Sequence, residues 1–371
     1  VKSLEVLWKS MIDAPSPGFF LRCLRGVFWL FSCLFAAWVT VRNLCYDRGW
    51  MRCFVPPVPL VISVGNIVAG GAGKTPVLLW LMKHFQDASS LAVLTRGYRS
   101  QAEKLETPLV ICQEAGVLPP PAVCGDEPFL IAKKHPKVMI FVGYNRKKAC
   151  KMAGRSGAQV ILLDDAFQHR RLGRDFDLVV VDGRAPFGGG FFLPRGYLRD
   201  APRRLAQAHI IFINRVQNAD DFYAVKKELL HYTQSPMVGI RQIPVQWHML
   251  TDKGLLHSSV LHLSGKKVGL FCAIAHPRYF QELIEELGGV VVGEHIFPDH
   301  DPLCEDTLRA FAAKCRENGA EWLVCTEKDG VKLREDLLLP LPVGWVEIEV
   351  EVVAGHEECA EFFRKAKAKI Y

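Results

Sequence analysis

A glycine-rich loop between an apolar run and a helical pattern holds the residues best suited to chemistry. The segment reads LVISVGNIVAGGAGKTPVLLWLM, and its loop residues are Gly70, Gly71, Ala72, Gly73, Lys74, Thr75 and Pro76. Glycines let backbone N–H groups turn inward around phosphate oxygens, and the following helix N-terminus adds partial positive charge. Lys74 would then reach the β- and γ-phosphates of a nucleotide, while Thr75 would hold Mg²⁺. The segment therefore predicts a phosphate-binding loop.

The loop departs from the strict GxxxxGK[ST] spacing at one position. Val68 stands where the first glycine is expected. A glycine-rich turn that carries Gly-Lys-Thr by chance is the alternative interpretation. The apolar strand before the loop and the helical pattern after it favour nucleotide binding.

Acidic residues follow two later apolar runs. VILLDD ends in Asp164 and Asp165, and LVVVDG contains Asp182. An acid at a strand end beside a phosphate-binding loop can supply the Walker B carboxylate, although such acids also cap helices and turns. Asp164 and Asp165 run into Ala-Phe-Gln-His-Arg-Arg-Leu, whereas Asp182 runs into a glycine-rich loop. The amide, histidine and arginines favour the first pair for metal and phosphate chemistry.

Short apolar runs alternate with helical patterns along the chain and predict the elements that position these residues. The predicted strands are Leu60–Val64, Ala92–Thr95, Val138–Val142, Val160–Leu163, Leu178–Val181, Ile210–Ile213, Val268–Phe271, Val290–Val292, Trp322–Cys325 and Trp345–Val350. Predicted helices include Leu303–Glu317 and a final one from about Glu357. Such alternation predicts an α/β fold, with a P-loop NTPase-like, mostly parallel sheet and a second, smaller α/β domain.

The predicted domain boundaries follow from changes in this pattern. Residues 1–42 form an N-terminal membrane-associated helical segment, and residues 43–234 form the phosphate-loop domain. Residues 235–264 show short polar breaks and no clear helix, and are predicted to be a linker. Residues 265–371 form the C-terminal α/β domain.

The N-terminal segment contains a charge-free stretch, Gly26–Val41, that carries Trp29 and Trp38. As a helix it would span about 24 Å, less than the roughly 30 Å hydrocarbon core of a bilayer. Basic residues flank it on both sides, so its orientation is not predicted. Embedding in the membrane is favoured over spanning, and a helix buried in the protein core is the alternative.

Composition limits the classes of function. The 371 residues include 46 Lys plus Arg against 39 Asp plus Glu, a net charge of +7 that suits phosphate-bearing ligands or an anionic membrane. No basic stripe interleaved with aromatics and no nucleic-acid motif occurs, so no nucleic-acid partner is predicted. The 12 cysteines are scattered without metal-ligand spacing and indicate neither zinc nor a disulfide framework.

The motifs together resemble the tetraacyldisaccharide 4'-kinase family. The resemblance spans nearly the whole chain in the family's order. It is carried by SVGNIVAGGAGKTP (63–76), TRGY (95–98), GDEP (125–128), DDAFQHRRL (164–172), LPRGYLRD (193–200), FPDH (297–300) and TEKDGVKL (326–333).

The resemblance implies what the chain binds and where it acts. It implies ATP and Mg²⁺ as cofactors, and a lipid disaccharide 1-phosphate (a lipid A precursor) that is phosphorylated on its 4'-hydroxyl. It also implies an N-terminal membrane-associated helix, which places the chain at the cytoplasmic face of the bacterial inner membrane. Oligomeric state and acyl-chain preference are not predicted.

The resemblance also implies roles for single residues. Asp126 and His300 match the family's catalytic dyad, in which Asp126 takes the proton of the attacking hydroxyl and His300 orients or tunes Asp126. From the residues alone, Asp126 would be a helix cap and His300 a turn residue. Asp164 and Asp165 take the Walker B place, with Asp165 or Glu127 assisting the metal. The positions expected to line the acceptor or phosphate site are Arg96, Tyr98, Gln168, His169 and Arg199.

Departures from the family pattern occur at three positions. Ala166 replaces the usual glycine of DDGFQH, and Asp301 stands where a second histidine is common after FPDH. Asp200 replaces a glutamate, which puts the side-chain reach of the LPRGYLRD segment in doubt. None of them removes a proposed dyad member.

Two other classes of P-loop protein stay open from the sequence. The GGAGKT loop is also similar to those of membrane-associated ATPase switches, which modify no small-molecule acceptor, but GDEP and FPDH would have no role there. INRVQNAD (213–220) loosely resembles a guanine-reading NKxD motif, and Val216 interrupts the match.

Overall fold

A computed structural model describes residues 8, 11–12, 18–85, 90–112, 114, 116, 118–251, 254–259, 263–298, 303–334 and 337–370. The helices are α1 (Phe19–Asp47), α2 (Lys74–Phe85), α3 (Pro121–Cys124), α4 (Asp126–Lys134), α5 (Arg146–Arg155), α6 (Ala219–Leu229), α7 (Pro277–Glu286), α8 (Glu305–Glu317), α9 (Glu327–Gly330) and α10 (His356–Lys367). The strands are β1 (Leu60–Gly65), β2 (Leu91–Thr95), β3 (Leu109–Ile111), β4 (Met139–Val142), β5 (Val160–Asp164), β6 (Phe176–Asp182), β7 (Ile210–Asn214), β8 (Met237–Thr251), β9 (Gly254–Ser258), β10 (Lys267–Cys272), β11 (Val290–Ile296), β12 (Trp322–Thr326) and β13 (Val343–Ala354).

The chain divides into two compact units. Unit 1 comprises Val1–Thr95, Asn145–Arg241 and Glu351–Tyr371, and unit 2 comprises Arg96–Tyr144 and Gln242–Val350. Both are α/β units, as the alternation of apolar runs and helical patterns predicts. Each predicted strand is present, and most lie within a residue or two of their expected bounds. Strands β11 and β13 extend four residues further at their carboxyl ends than predicted.

Unit 1 is built on a parallel sheet in the order β8-β7-β6-β1-β5-β2. Its central strand β1 is buried at every residue, which explains the continuous apolar run in the sequence. Because β1 lies between β5 and β6, the order in which the chain adds strands to the sheet reverses at this strand. Loops that follow the carboxyl ends of strands at such a point form the usual ligand site of open α/β sheets.

Unit 2 contains a parallel sheet in the order β11-β10-β12-β13. Its core includes Phe271, Leu323 and Trp345, together with the apolar face of α8. The unit also holds an antiparallel pair, β3 with β4, that precedes and follows helices α3 and α4. These helices carry the GDEP motif.

The region expected to be a linker differs from the prediction. Residues Met237–Thr251 form the long strand β8, whose first part pairs with β7 in unit 1 and whose last part pairs with β9 in unit 2. Residues Arg96–Tyr144 also belong to unit 2, although they were expected within the phosphate-loop domain. Strand β8 carries Pro244 as well as Arg241 and other polar residues. It therefore lacks the apolar run that identifies a buried strand from sequence.

Helix α1 is longer than the predicted apolar segment and begins and ends beyond its flanking arginines. Its 29 residues span about 44 Å, long enough and apolar enough to cross a membrane. Its large apolar side chains, such as Trp29, Phe31 and Trp38, are more than half exposed. This exposure contradicts the alternative of a helix buried in the protein core.

One face of α1 nevertheless packs on the rest of unit 1 through polar contacts. Ser32 Oγ donates to the carbonyl of Phe192 at 2.8 Å, and Asn43 Nδ2 donates to Asp200 Oδ1 at 2.8 Å. Ser32, Val39 and Asn43 are its buried residues. The helix is therefore fixed to unit 1 by one narrow side while its apolar surface remains uncovered.

Candidate active site

The phosphate-binding loop leaves β1 and enters α2, whose first residue is Lys74. Gly70 and Gly73 have φ angles of 113° and 86°, in the region that L-residues with a Cβ avoid. These two positions explain why glycine is needed there. The loop thus has the strand, turn and helix N-terminus that its sequence predicts.

Two side chains from the end of β7 hold the loop from its carbonyl side. Asn214 Nδ2 donates to the Ala72 carbonyl at 3.0 Å, and Arg215 Nη2 donates to the Gly71 carbonyl at 2.9 Å. Arg215 also pairs with Asp182 at the end of β6. Asp182 therefore supports the loop through Arg215.

Asp165 contacts two cations beside the phosphate-binding loop. Arg199 binds it with both terminal nitrogens, at 2.8 Å to Oδ2 and 2.7 Å to Oδ1, and Lys74 Nζ lies 3.4 Å from Oδ1. Burial tends to raise the pKa of Asp165, but Lys74 and Arg199 outweigh it and hold that pKa well below its usual range. Asp165 is therefore a carboxylate that places two cations beside the loop.

Asp164 differs from its neighbour in burial and in partners. It is 4% exposed, and its Oδ2 accepts from Thr95 Oγ1 at 2.9 Å. The guanidinium of Arg146 donates to the backbone carbonyls of Asp164 and Asp165, at 2.5 and 3.2 Å. Asp165 has a φ of 45°, in the left-handed region, directly after the end of β5. Asp165 is thus paired with cations, whereas the Asp164 side chain accepts from a hydroxyl group.

A second cluster lies beside this pair, where unsatisfied polar atoms point to a ligand. Gln168 Nε2 donates to the Asn66 carbonyl at 2.8 Å, and Arg199 also binds the Asn66 side chain. Among the described residues, Gln168 Oε1 and Arg199 Nε are buried polar atoms without a hydrogen-bond partner. Buried polar groups are nearly always satisfied, so a bound molecule would complete them.

No group of three or more His, Cys, Asp or Glu side chains in the described part of the chain is arranged to hold a metal ion. Mg²⁺ is usually bound by one or two carboxylates together with substrate phosphates and water. Thr75, next to Lys74, and Asp164 are the donors of the expected type in unit 1. Glu127, the third acid expected to assist, is the second residue of α4 in unit 2.

In unit 2, Asp126 is the first residue of α4 and follows Gly125, whose φ of 99° makes the turn. Gly125 holds the cap position, so Asp126 is not the helix cap that the residues alone suggest. Its Oδ2 lies 3.1 Å from the ammonium of Lys332. Lys332 is 4% exposed and also lies 3.0 Å from Asp329 Oδ1. Asp126 is thus one end of a buried ionic chain.

The remaining residues expected at the site have mixed settings. Arg96 forms an ion pair with Glu103 at 2.7 Å, and Tyr98 is half exposed beside the Arg99 guanidinium. The backbone N–H of His169 donates to the Ala166 carbonyl at 2.8 Å. His300 and Asp301 lie outside the described residues.

Several residues at the site were missed by the sequence analysis. Arg146, Asn214 and Arg215 contact the loop or its acids, and Asn66 contacts Arg199, through the hydrogen bonds given above. Asn66 belongs to the SVGN motif and Asn214 to INRV, but neither position has a spacing rule of its own. Only their neighbours in space identify them.

The two departures within the described residues are accommodated locally. Asp200 is fully buried and accepts from Asn43 and from the Ala201 N–H, so the shorter acid reaches α1 rather than the phosphate loop. Ala166 is fully buried, and its N–H donates to the Val64 carbonyl at 3.2 Å. A methyl group therefore fits where glycine is usual.

Comparison with known proteins agrees with this geometry. The sequence profile of the tetraacyldisaccharide-1-P 4'-kinase family matches residues 24–367. The chain belongs to this family. A tetraacyldisaccharide 4'-kinase of Chlamydia abortus is 36% identical over 337 residues, covering 89% of this chain and 87% of that protein. One of Chlamydia caviae is 34% identical over 363 residues, covering 95% and 93%.

A solved member of the family has the same fold. It is described as the apo form of LpxK from Aquifex aeolicus in complex with ATP. It matches with a TM-score of 0.71 and 25% identity over 92% of this chain and 99% of that one. Family membership confirms the resemblance and the α/β fold class predicted from the motifs.

Proposed function

We propose that this member of the tetraacyldisaccharide 4'-kinase family transfers the γ-phosphate of ATP to the 4'-hydroxyl of a tetraacyldisaccharide 1-phosphate. The observation that carries the proposal is the cluster of Lys74, Asp165 and Arg199 at the phosphate-binding loop. It occurs in a chain that matches the kinase family from residue 24 to residue 367. The product is the lipid disaccharide with phosphates at both ends.

In this proposal the loop from Gly70 to Pro76 binds the phosphates of ATP. Backbone N–H groups and the N-terminus of α2 face the anion, and Lys74 neutralises charge on the group in transfer. Thr75 and Asp164 would hold Mg²⁺, with Asp165 or Glu127 assisting. The ion would supply positive charge that offsets the charge of the phosphates. Arg215 and Asn214 keep the loop carbonyls turned away from the nucleotide.

The transfer step assigns the proton to Asp126. The 4'-oxygen forms a bond to the γ-phosphorus while the bond from that phosphorus to the β–γ bridging oxygen breaks, and ADP leaves. The hydroxyl proton passes to the Asp126 carboxylate, and His300 orients that carboxylate. General-base help of this kind contributes about a hundredfold to ten-thousandfold.

Polar side chains would recognise the acceptor. Gln168 Oε1 and Arg199 Nε are buried without partners in the described structure, and sugar hydroxyls or phosphate oxygens would complete them. His169 follows in the same segment. Arg96 and Tyr98 are exposed enough to contact a large, amphipathic ligand.

Membrane association fits a lipid acceptor. The uncovered apolar side chains of α1 match the hydrocarbon and headgroup boundary of a bilayer, and the net charge of +7 suits anionic lipid. We place the chain at the cytoplasmic face of the bacterial inner membrane, anchored by α1. ATP and the acyl chains of the substrate would then be accessible together.

The experiment must separate a kinase from an ATPase switch. Purified chain is incubated with ATP, Mg²⁺ and a tetraacyldisaccharide 1-phosphate in detergent micelles, while ADP release and lipid mass are both followed. We expect ADP to form only with the acceptor, and the lipid mass to rise by one phosphate. ADP formation without the acceptor, at the same rate and with no change in lipid mass, would refute the kinase and support the switch.

A further inference from the structure

The TEKDGVKL segment contacts Asp126 through a chain of side chains, and none of its residues has a role in the proposed function. It lies in unit 2, where strand β12 ends at Thr326 and the short helix α9 follows. Three residues of the segment contact one another in a chain: Thr326, Asp329 and Lys332. The last of them contacts Asp126.

Asp329 anchors this chain to the sheet. It is fully buried, and its Oδ2 accepts from the Ala273 N–H at 2.9 Å and from Thr326 Oγ1 at 2.7 Å. Ala273 directly follows β10, and Thr326 is the last residue of β12, so two strands fix one carboxylate oxygen. The other oxygen, Oδ1, lies 3.0 Å from Lys332 Nζ. A buried carboxylate held by two strands is a rigid support.

Lys332 connects this support to Asp126. Its ammonium lies 3.0 Å from Asp329 and 3.1 Å from Asp126 Oδ2, and its side chain is only 4% exposed. Burial alone would lower the pKa of Lys332, but Asp329 and Asp126 raise it, so the group stays a cation. A buried lysine costs free energy unless it is paired, and one carboxylate would satisfy its charge. The second carboxylate therefore calls for a separate explanation.

We propose that Lys332 is a positioning residue that holds the Asp126 carboxylate in the orientation needed to accept the hydroxyl proton, with Asp329 as its fixed support. The inference rests on the proposed function of Asp126. Asp126 is the first residue of α4, and the Lys332 ammonium contacts one of its carboxylate oxygens, Oδ2. This contact restrains the rotation of the carboxylate.

The main test is a double-mutant cycle on full-length chain in micelles. Lys332→Met keeps the length of the side chain and removes the charge. We expect kcat to fall about tenfold to a hundredfold, as for a misplaced reacting group, with KM unchanged for both ATP and lipid. In an Asp126→Asn background the same change should alter kcat by less than about twofold, because the residue acts only through Asp126. Lys332→Arg should retain more activity than Lys332→Met.

The matched control is a second paired lysine, which lies on the helix that carries Asp126. Lys134 ends α4 and lies 2.6 Å from Glu327 and 2.9 Å from Glu347, with an 18% exposed side chain. Lys134→Met removes a comparable ionic pair and should lower thermal stability while leaving kcat near the wild-type value. A fall in kcat equal to that of Lys332→Met would show that any loss of an ion pair on α4 impairs the reaction, and would overturn the proposal.

Two further results would contradict the positioning role. A penalty that persists in full in the Asp126→Asn background would mean that Lys332 acts independently of Asp126. A rise in KM for the lipid 1-phosphate or for ATP would mean that Lys332 binds a substrate phosphate instead. If Lys332→Met does not fold, Asp329→Asn replaces it, since the amide oxygen can still accept from Ala273 and Thr326. Its smaller loss of kcat must also vanish when Asp126 is asparagine.

A readout without turnover separates this inference from the proposed function. The ¹³C carboxyl signal of Asp126, assigned by its absence in Asp126→Asn, should be single and sharp in wild type and broadened in Lys332→Met. An inactive wild type would refute the kinase proposal. An active wild type whose Asp126 signal and double-mutant cycle are both unaffected by Lys332 would refute the positioning role alone.

Discussion

Replacing Asp200 should lower the free energy of unfolding of unit 1 by more than the loss of an exposed ion pair does. Asp200 is fully buried, and it accepts from Asn43 at 2.8 Å and from the Ala201 N–H at 3.0 Å. Arg42 and Arg204 lie 3.3 and 3.8 Å from its other oxygen. Burial lowers the pKa of Arg204 and the nearby Asp200 charge raises it, so losing this acid leaves a buried guanidinium with only the charges of Asp47 and Asp177 to oppose its own among the described residues.

The magnitude follows from these contacts. Removing one partner of a buried ion pair typically costs about 3–5 kcal/mol, and the partial exposure of Arg42 places Asp200→Ala at the lower end, at about 3 kcal/mol. Asp200→Asn can keep an acceptor for Asn43 and the Ala201 N–H, and should cost about 1–3 kcal/mol. For a urea dependence of about 3 kcal/mol per molar, Asp200→Ala then lowers the unfolding midpoint by about 1 M.

The assay is urea unfolding in detergent, followed by tryptophan fluorescence. Glu361→Ala is the control, because its ion pair with Arg364 on α10 is accessible to solvent, and its midpoint should match wild type. If the midpoint for Asp200→Ala lies within the error of the control, Asp200 does not stabilise unit 1, and the buried guanidinium of Arg204 does not need this acid as a partner.

Three further outcomes are expected. Lys74→Ala should nearly abolish phosphoryl transfer while leaving the unfolding midpoint close to wild type, as radiolabelled transfer and urea unfolding together would show; wild-type turnover would remove the loop assignment. Trp29→Asn with Phe31→Asn should weaken sedimentation with phosphatidylglycerol vesicles at least about tenfold, whereas Tyr223→Asn, which removes an exposed aromatic on α6, should not; equal binding by all would place the anchor elsewhere. Burial raises the pKa of Cys124 to about 12, while hydrogen bonds from Thr307 lower the pKa of the exposed Cys304. Iodoacetamide at pH 7.5 should therefore modify Cys304 before Cys124, and the reverse order in peptide mass spectrometry would contradict this.

Features set by neighbouring residues could be predicted from the sequence. The apolar run of β1, the loop glycines and the start of α2 lie within one short segment, so pattern and spacing identify them together. Glycine at 70 and 73 is required by the positive φ angles observed there. The strand ends at Asp164 and Asp182 follow from the same kind of local pattern.

Features set by distant residues could not be predicted. The contact of Asp126 with Lys332 and that of Arg215 with Gly71 join segments far apart in the sequence, and no spacing rule connects them. Helix α1 extends past Arg25 and Arg42 because these side chains bind the Met11 carbonyl and Asp200, so charge did not mark its ends. Strand β8 was missed because its polar residues and Pro244 interrupt the apolar pattern.

The position of the new phosphate on the product shows whether the chain phosphorylates the 4'-hydroxyl. Product made from ATP, Mg²⁺ and tetraacyldisaccharide 1-phosphate is examined by two-dimensional ¹H–³¹P NMR, with Lys74→Ala chain as the blank. The account predicts one new phosphomonoester, coupled to the proton on the 4'-carbon, and none in the blank. A phosphate on another hydroxyl, a pyrophosphate at position 1, or no new phosphorus signal despite ADP release would contradict it.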